Sequence, residues 1–281
     1  MGGTIIVGIG HEEAESDAIA LASRLARATD AQLLLAAVYA SAVGGGAANY
    51  ERAARARAEH CVENARATVP GDVAAATTTV MSTSPVRGLH ELAERESAAS
   101  IVVGPTHLGT ATRAARGDLT LGLFHAAPCA VAIAPAGYGS KSSAAPRVVG
   151  AAFVDTPEGR EALAEAAALA GRMGAGLRIL HVVDAPTIEL LAEHRETANR
   201  QLDEARSDAE RVVSASATLL EGDAAEQLIA ASEDLDLLVA GSRGYGPRGR
   251  LLVGSVSSRI AHEAACPLLV VPRGVHAPVA A

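Results

Sequence analysis

Apolar residues along the first 135 positions gather in short runs, and after each run they spread out at helical spacing. Thr4 to Ile9 is rich in β-branched residues, the pattern of a buried parallel strand. Over 12–28, Ala18, Ile19, Ala22, Leu25 and Ala26 share one helical face. The alternation then repeats, with strands over 33–39, 73–80 and 101–103 and helices over 50–67 and 86–98, the last with Leu89, Leu92 and Ala93 inward. A helix near 119–126 and a strand over 129–134 close the series. Strand–helix repetition of this kind predicts a doubly wound parallel sheet with helices on both faces.

The pattern then starts again. A strand over 148–154 precedes a helix over 158–173 that turns Leu163, Ala166, Ala170 and Met173 inward. Thr156 and Pro157 suit its N-cap and first helical position. Strands follow over 177–183, 216–220, 235–240 and 268–271, with a long charged helix over 190–213 and shorter ones over 224–232 and from 255. The halves also share an offset: His125, Cys129, Gly104 and Gly117 lie 137 residues before His262, Cys266, Gly241 and Gly254. That marks an internal repeat. Gly, Ser, Ala and Pro dominate 137–146, which reads as a linker. The predicted organisation is therefore a domain over 1–136, a linker over 137–146 and a domain over 147–281. Each domain is expected to be α/β with a mainly parallel five-stranded sheet.

Chemistry concentrates after the strand at 235–240. Gly241, Gly244, Gly246 and Gly249 crowd one loop, and Gly254-Ser255 opens a helix carrying Val256, Ile260 and Ala264. Small residues between a strand and a helix leave backbone N–H groups open to phosphate oxygens, and Ser255 at the cap adds a hydroxyl. A surface turn with an ordinary serine cap is the other reading of the same residues. The spacing Gly241-x2-Gly244-x9-Gly254-Ser255 resembles the nucleotide-binding motif of the universal stress protein family, in its ATP-binding branch.

That resemblance covers both halves and implies a Rossmann-like fold of the adenine nucleotide alpha hydrolase type. It implies ATP, with or without Mg²⁺, held by Gly241, Gly244, Gly254 and Ser255; Arg243, Arg248 and Arg250 around the loop either neutralise phosphates or form a solvated arginine-rich surface. Val183 would lie against the adenine at the end of the second strand. Family members usually place an Asp after the first strand; here Asp155 stands one position late, and either reaches the nucleotide or caps the following helix. The two domains are expected to pack as an intramolecular pseudo-dimer, with a further homodimer left open. The alternatives carried forward are a nucleotide-free scaffold acting through protein contacts and a binder of another adenine nucleotide.

The first half keeps the pattern but alters the loop: His107 replaces the second glycine and Asp118 the serine. An Asp there takes up the N–H donors and adds like charge, so this loop is read as degenerate, with Arg113 and Arg116 as the groups that would offset Asp118.

Composition narrows the function further. Net charge is −8, which argues against nucleic acid or an anionic membrane as partner. Lys141 is the only lysine, so neither a P-loop nor a catalytic lysine in a folded domain is expected, which favours nucleotide binding over turnover and an ordinary enzyme least. Cys61, Cys129 and Cys266 lack paired spacing, and no signal sequence or membrane-length apolar run is present, so a cytoplasmic protein is expected. His125 with Cys129 and His262 with Cys266 have metal-ligand spacing but no convincing third ligand, and buried packing is the preferred reading.

Overall fold

The computed structural model describes residues 3–10, 12–40, 47–105, 119–141, 145–184, 188–242 and 255–272. The chain divides into two compact units, Met1–Ser143 and Ala144–Ala281. In the first, β1 (Thr4–Ile9), β2 (Gln32–Tyr39), β3 (Ala75–Met81), β4 (Ser100–Val103) and β5 (Ala130–Ile133) form a sheet of order β3-β2-β1-β4-β5. Its pairings are all parallel. Helices α1 (Glu12–Thr29), α2 (Ala47–Ala67), α3 (Pro85–Arg95) and α4 (Leu119–Phe124) connect the strands. Right-handed crossovers put α1 and α2 on one face and α3 and α4 on the other. A sheet covered on both faces buries its inner strands from both sides, and all four residues of β4 are buried.

After α5 (Tyr138–Lys141), the second unit repeats the plan. Strands β6 (Val148–Ala152), β7 (Gly176–Val183), β8 (Ala215–Glu221), β9 (Leu237–Gly241) and β10 (Leu268–Val271) take the order β8-β7-β6-β9-β10, again all parallel. Between them run α6 (Pro157–Met173), α7 (Ile188–Ala209), α8 (Ala224–Ala231) with a 3₁₀ turn at Ser232–Asp234, and α9 (Ser255–Glu263). The ladders superimpose: Ile5 faces Ser100 as Val149 faces Leu237, offsets of 144 and 137. The buried apolar residues of α1 recur in α6 at 144, Ala18, Ala22 and Ala26 as Ala162, Ala166 and Ala170.

Local chemistry moves several boundaries from the predicted ones. Strand β3 starts at Ala75 because Pro70 and Val73 close a turn, and Asp72 in it is held by Arg27 at 2.7 Å. Strand β9 starts at Leu237 because Ser232–Asp234 coils into 3₁₀ geometry, the N–H of Leu235 donating to Ser232 at 3.4 Å. Asp236 then ties β9 to the entry of β6, its Oδ2 accepting from the N–H groups of Arg147 at 2.7 Å and Val148 at 2.9 Å.

The stretch expected to be a linker is folded in its first part. The carboxylate of Asp17, buried on α1, accepts the N–H groups of Gly137 at 2.9 Å and Gly139 at 2.7 Å. The helix α5 that follows packs on α1, with Tyr138 buried and Arg24 over its ring. Composition reads Gly137-Tyr138-Gly139-Ser140 as flexible, but a buried carboxylate 120 residues away supplies charge-assisted bonds that outweigh that tendency.

Candidate functional site

In the second unit the chain leaves β6 for β7 and β8 on one side, then crosses to β9 and β10 on the other. The connections after β6 and β9 diverge, which opens a crevice at the carboxyl ends of these strands. The residues at this switch point are Phe153 to Thr156 after β6, Gly241 at the end of β9 and Ser242 after it.

Two close approaches shape it. A side chain at Gly241 would begin 3.0 Å from the carbonyl oxygen of Glu158, so the end of β9 lies against the first turn of α6. A side chain at Gly159 would run into the carbonyl of Val154, so α6 starts directly on the end of β6. That start is made by Thr156 in extended geometry, its Oγ1 accepting from the N–H of Gly159 at 3.1 Å, with Pro157 next. Sequence reading identified this cap correctly.

Asp155 does not take the capping role considered for it. Thr156, not Asp155, caps α6. One Asp155 oxygen accepts from Arg160 Nε at 2.6 Å and the other from Gln201 Nε2 of α7 at 3.2 Å. The carboxylate joins two helices beside the crevice. His181 of β7 lies near it; burial pushes its pKa down, with the Asp155 charge and a backbone bond at Phe153 opposing. Its Nδ1 is buried with no hydrogen-bond partner among the described residues.

Val183 ends β7 with its side chain buried. Its carbonyl accepts from the N–H of Gly222 at 3.0 Å, a glycine in left-handed geometry at φ 118° that turns the chain after β8. That bond ties the end of β7 to the turn after β8.

Gly241 is the last residue of β9 and Ser255 the first of α9, so the described ends of the loop are a strand and a helix start, as the pattern predicts. Arg243, Gly244, Arg248, Arg250 and Gly254 lie outside the described residues, as do His107, Arg113, Arg116, Gly117 and Asp118 of the first half.

What holds α9 in place was missed in the sequence. Arg259 reaches across to α8, its Nη1 2.9 Å from Oδ1 of Asp223, and Asp223 caps α8 by accepting from the N–H of Glu226 at 2.9 Å. Buried Ser232 donates to the carbonyl of Ile229 at 2.6 Å and accepts from the N–H of Ala265 at 2.9 Å, fixing the exit of α9. The Asp223-x-x-Glu226 spacing is a capping signature that would have pointed to the first of these.

Cys129 and Cys266 are buried, and burial pushes both thiols up to about 12. They are packing groups with negligible thiolate at neutral pH. Among the described residues no group of three His, Cys, Asp or Glu side chains is placed to hold a metal ion, and no helix is long and apolar enough to cross a membrane.

Two tandem, doubly wound parallel domains, the second with a strand–glycine loop–helix at its switch point, define a class of Rossmann-like α/β protein. Residues 1–135 and 147–272 each match the universal stress protein family, and the chain belongs to that family, carrying its domain twice. It is 35% identical over 130 residues to the Thermus aquaticus protein described as "Universal stress protein in QAH/OAS sulfhydrylase 3′ region", an overlap spanning 43% of this chain and 94% of that one. The fold resembles that of a universal stress protein from Archaeoglobus fulgidus DSM 4304, at 18% identity, TM-score 0.76 and 96% of each chain covered. A functionally unknown protein from Pseudomonas aeruginosa PAO1 is similar over 99% of this chain and 95% of its own, at 16% identity and TM-score 0.65.

Proposed function

We propose that the chain binds ATP as a regulatory ligand, mainly in its second domain, and turns it over slowly or not at all. The observation that carries this reading is Gly241 at the end of β9, joined by a glycine-rich loop to a helix starting at Ser255, beside the switch point. Backbone N–H groups in such a loop, together with a helix start, suit phosphate oxygens. Gly244, Gly254, Ser255 and Arg243 would complete the phosphate cradle, and Val183 would offer an apolar side chain toward the base.

Slow turnover follows from the residue types at hand. The only lysine, Lys141, belongs to the first unit, and Asp155 is occupied by Arg160 and Gln201. A magnesium ion is usually held by one or two carboxylates with waters and phosphate oxygens, and Asp155, shared with Arg160, would be the carboxylate nearest this crevice. No step is assigned to a metal here.

The engagement of Asp155 also favours a second reading, a nucleotide-free scaffold of the same fold. Mass spectrometry of ligand released from freshly purified protein separates the two. ATP near one per chain, lost when Gly244 is replaced by Val, is the expected result. An empty chain that takes up no ATP on addition would favour the scaffold, and another adenine nucleotide in the released fraction would reassign the ligand. Phosphate release should fall well below the roughly 1–10³ s⁻¹ of ordinary enzymes.

A further inference from the structure

A helix start that takes phosphate gains from an arginine close by, and the second unit has one with no role so far beyond joining two helices. Helices α8 and α9 follow the carboxyl ends of β8 and β9, so both begin at the same end of the sheet. Arg259 lies one turn into α9, roughly 6 Å along the axis from Ser255. Helical side chains lean toward the N-terminus, so this one leans toward the start of α9. Its Nη1 meets Oδ1 of Asp223, the cap of α8, at 2.9 Å, which keeps the guanidinium level with the two helix starts.

The hold is light. Nη2 stands 3.7 Å from Glu226 and Nε 3.9 Å from Glu263, both too long for hydrogen bonds. The side chains of Arg259 and Asp223 are 40% and 50% exposed, and an ion pair so open to water is worth little. A phosphate offers an arginine stronger, bidentate bonds.

The first unit lacks both partners. Gly122 stands in place of Arg259, at the offset of 137, and Ser84 caps α3 where Asp223 caps α8. Packing accounts for the glycine: a side chain there would begin 2.7 Å from Cγ2 of Val86, and the second unit has Ala225 in place of Val86. The half whose glycine loop keeps its pattern thus has room for an arginine and a carboxylate to hold it. The half with Asp118 in that loop has neither.

We propose that Arg259 is a phosphate-responsive switch, which exchanges Asp223 for the phosphates of ATP bound at the start of α9. This rests on the ATP reading above. Because Asp223 and ATP compete for one arginine, removing the Asp223 charge helps the ligand, whereas breaking a purely structural clamp would hinder it.

Calorimetric titration of the full chain with ATP tests the switch. Asp223→Asn keeps an oxygen to cap α8 but gives up the charge, and should tighten ATP binding by about two- to fivefold. Arg259→Gln should weaken it on the order of tenfold. In the double variant the gain from Asp223→Asn should vanish, which separates release of the arginine from loss of a nearby negative charge. A gain that persists there would overturn the proposal, as would weaker or equal binding in Asp223→Asn, or unchanged binding in Arg259→Gln. Denaturant midpoints show which variants fold, and if Arg259→Gln does not, Asp223→Asn decides alone. An unaltered chain that takes up no ATP removes the reading of the site and the switch with it; failure of the switch alone leaves ATP bound to the unaltered chain.

Discussion

Ile6 in the first unit and Gly150 in the second occupy the same position of the first strand, yet one is a large buried side chain and the other has none. The missing volume is supplied from elsewhere. In the second unit Leu235 fills the space at Gly150, and the residue matching Leu235 in the first unit is Ala98. A large and a small residue have exchanged places between the first strand and the turn before the fourth in two copies of one fold. Cores tolerate such swaps when total volume is kept, because packing density and not residue identity is what the interior demands. The same contrast appears in the anchoring of the first strand, where the second unit uses the Asp236 carboxylate and the first has Ala99.

The sharpest way to break this likeness is at Gly159, whose counterpart is Glu15. Gly159→Ala should destabilise the second unit by about 4 kcal/mol or more, because the new Cβ meets backbone that cannot move aside. Glu15→Ala, with a Cβ already present, should cost far less. Denaturant midpoints of the two variants check this.

Next comes Glu165, which corresponds to Leu21. Burial pushes its pKa up to about 7, with Arg172 opposing. A carboxyl that titrates higher in the fold than in the unfolded chain contributes stability fully below its unfolded value and loses it as pH rises through the folded one. Stability should therefore fall between about pH 4.5 and 7, on the order of 3 kcal/mol. Glu165→Gln should flatten that slope in denaturation measured across the window.

The smallest effect sharpens the volume exchange itself. Leu235→Ala should cost about 2–4 kcal/mol by opening a cavity, and Gly150→Ile about 1–3 kcal/mol by overpacking. Together they rebuild the Ile6 and Ala98 arrangement, so the double variant should be more stable than the sum predicts by about 1–3 kcal/mol. Strict additivity would mean the two positions do not share their space.

These contrasts also show what a sequence exposes. Strand order, helix faces and the repeat were legible because apolar spacing is a local signal, and parallel sheets write it plainly. Thr156 was legible because its bond spans three residues. Asp155 was not: one of its partners, Gln201, lies 46 residues on, and no spacing rule joins them. The folding of 137–141 was hidden for the same reason, since the Asp17 carboxylate that captures it comes from the other end of the domain. In the glycine loop the residue types were readable, and the described ends at Gly241 and Ser255 bear the strand and helix assigned to them.

Asp236 has a consequence for how the second half is made. The side chain that secures the start of β6 lies 89 positions after Arg147, so a ribosome must add that many residues before the strand can be fastened. At roughly 5–20 residues per second this takes on the order of ten seconds, during which the opening strand of the second domain waits without its clasp. The first domain has Ala99 at that place, and its opening strand meets there the main-chain bond from Ala99 to Thr4.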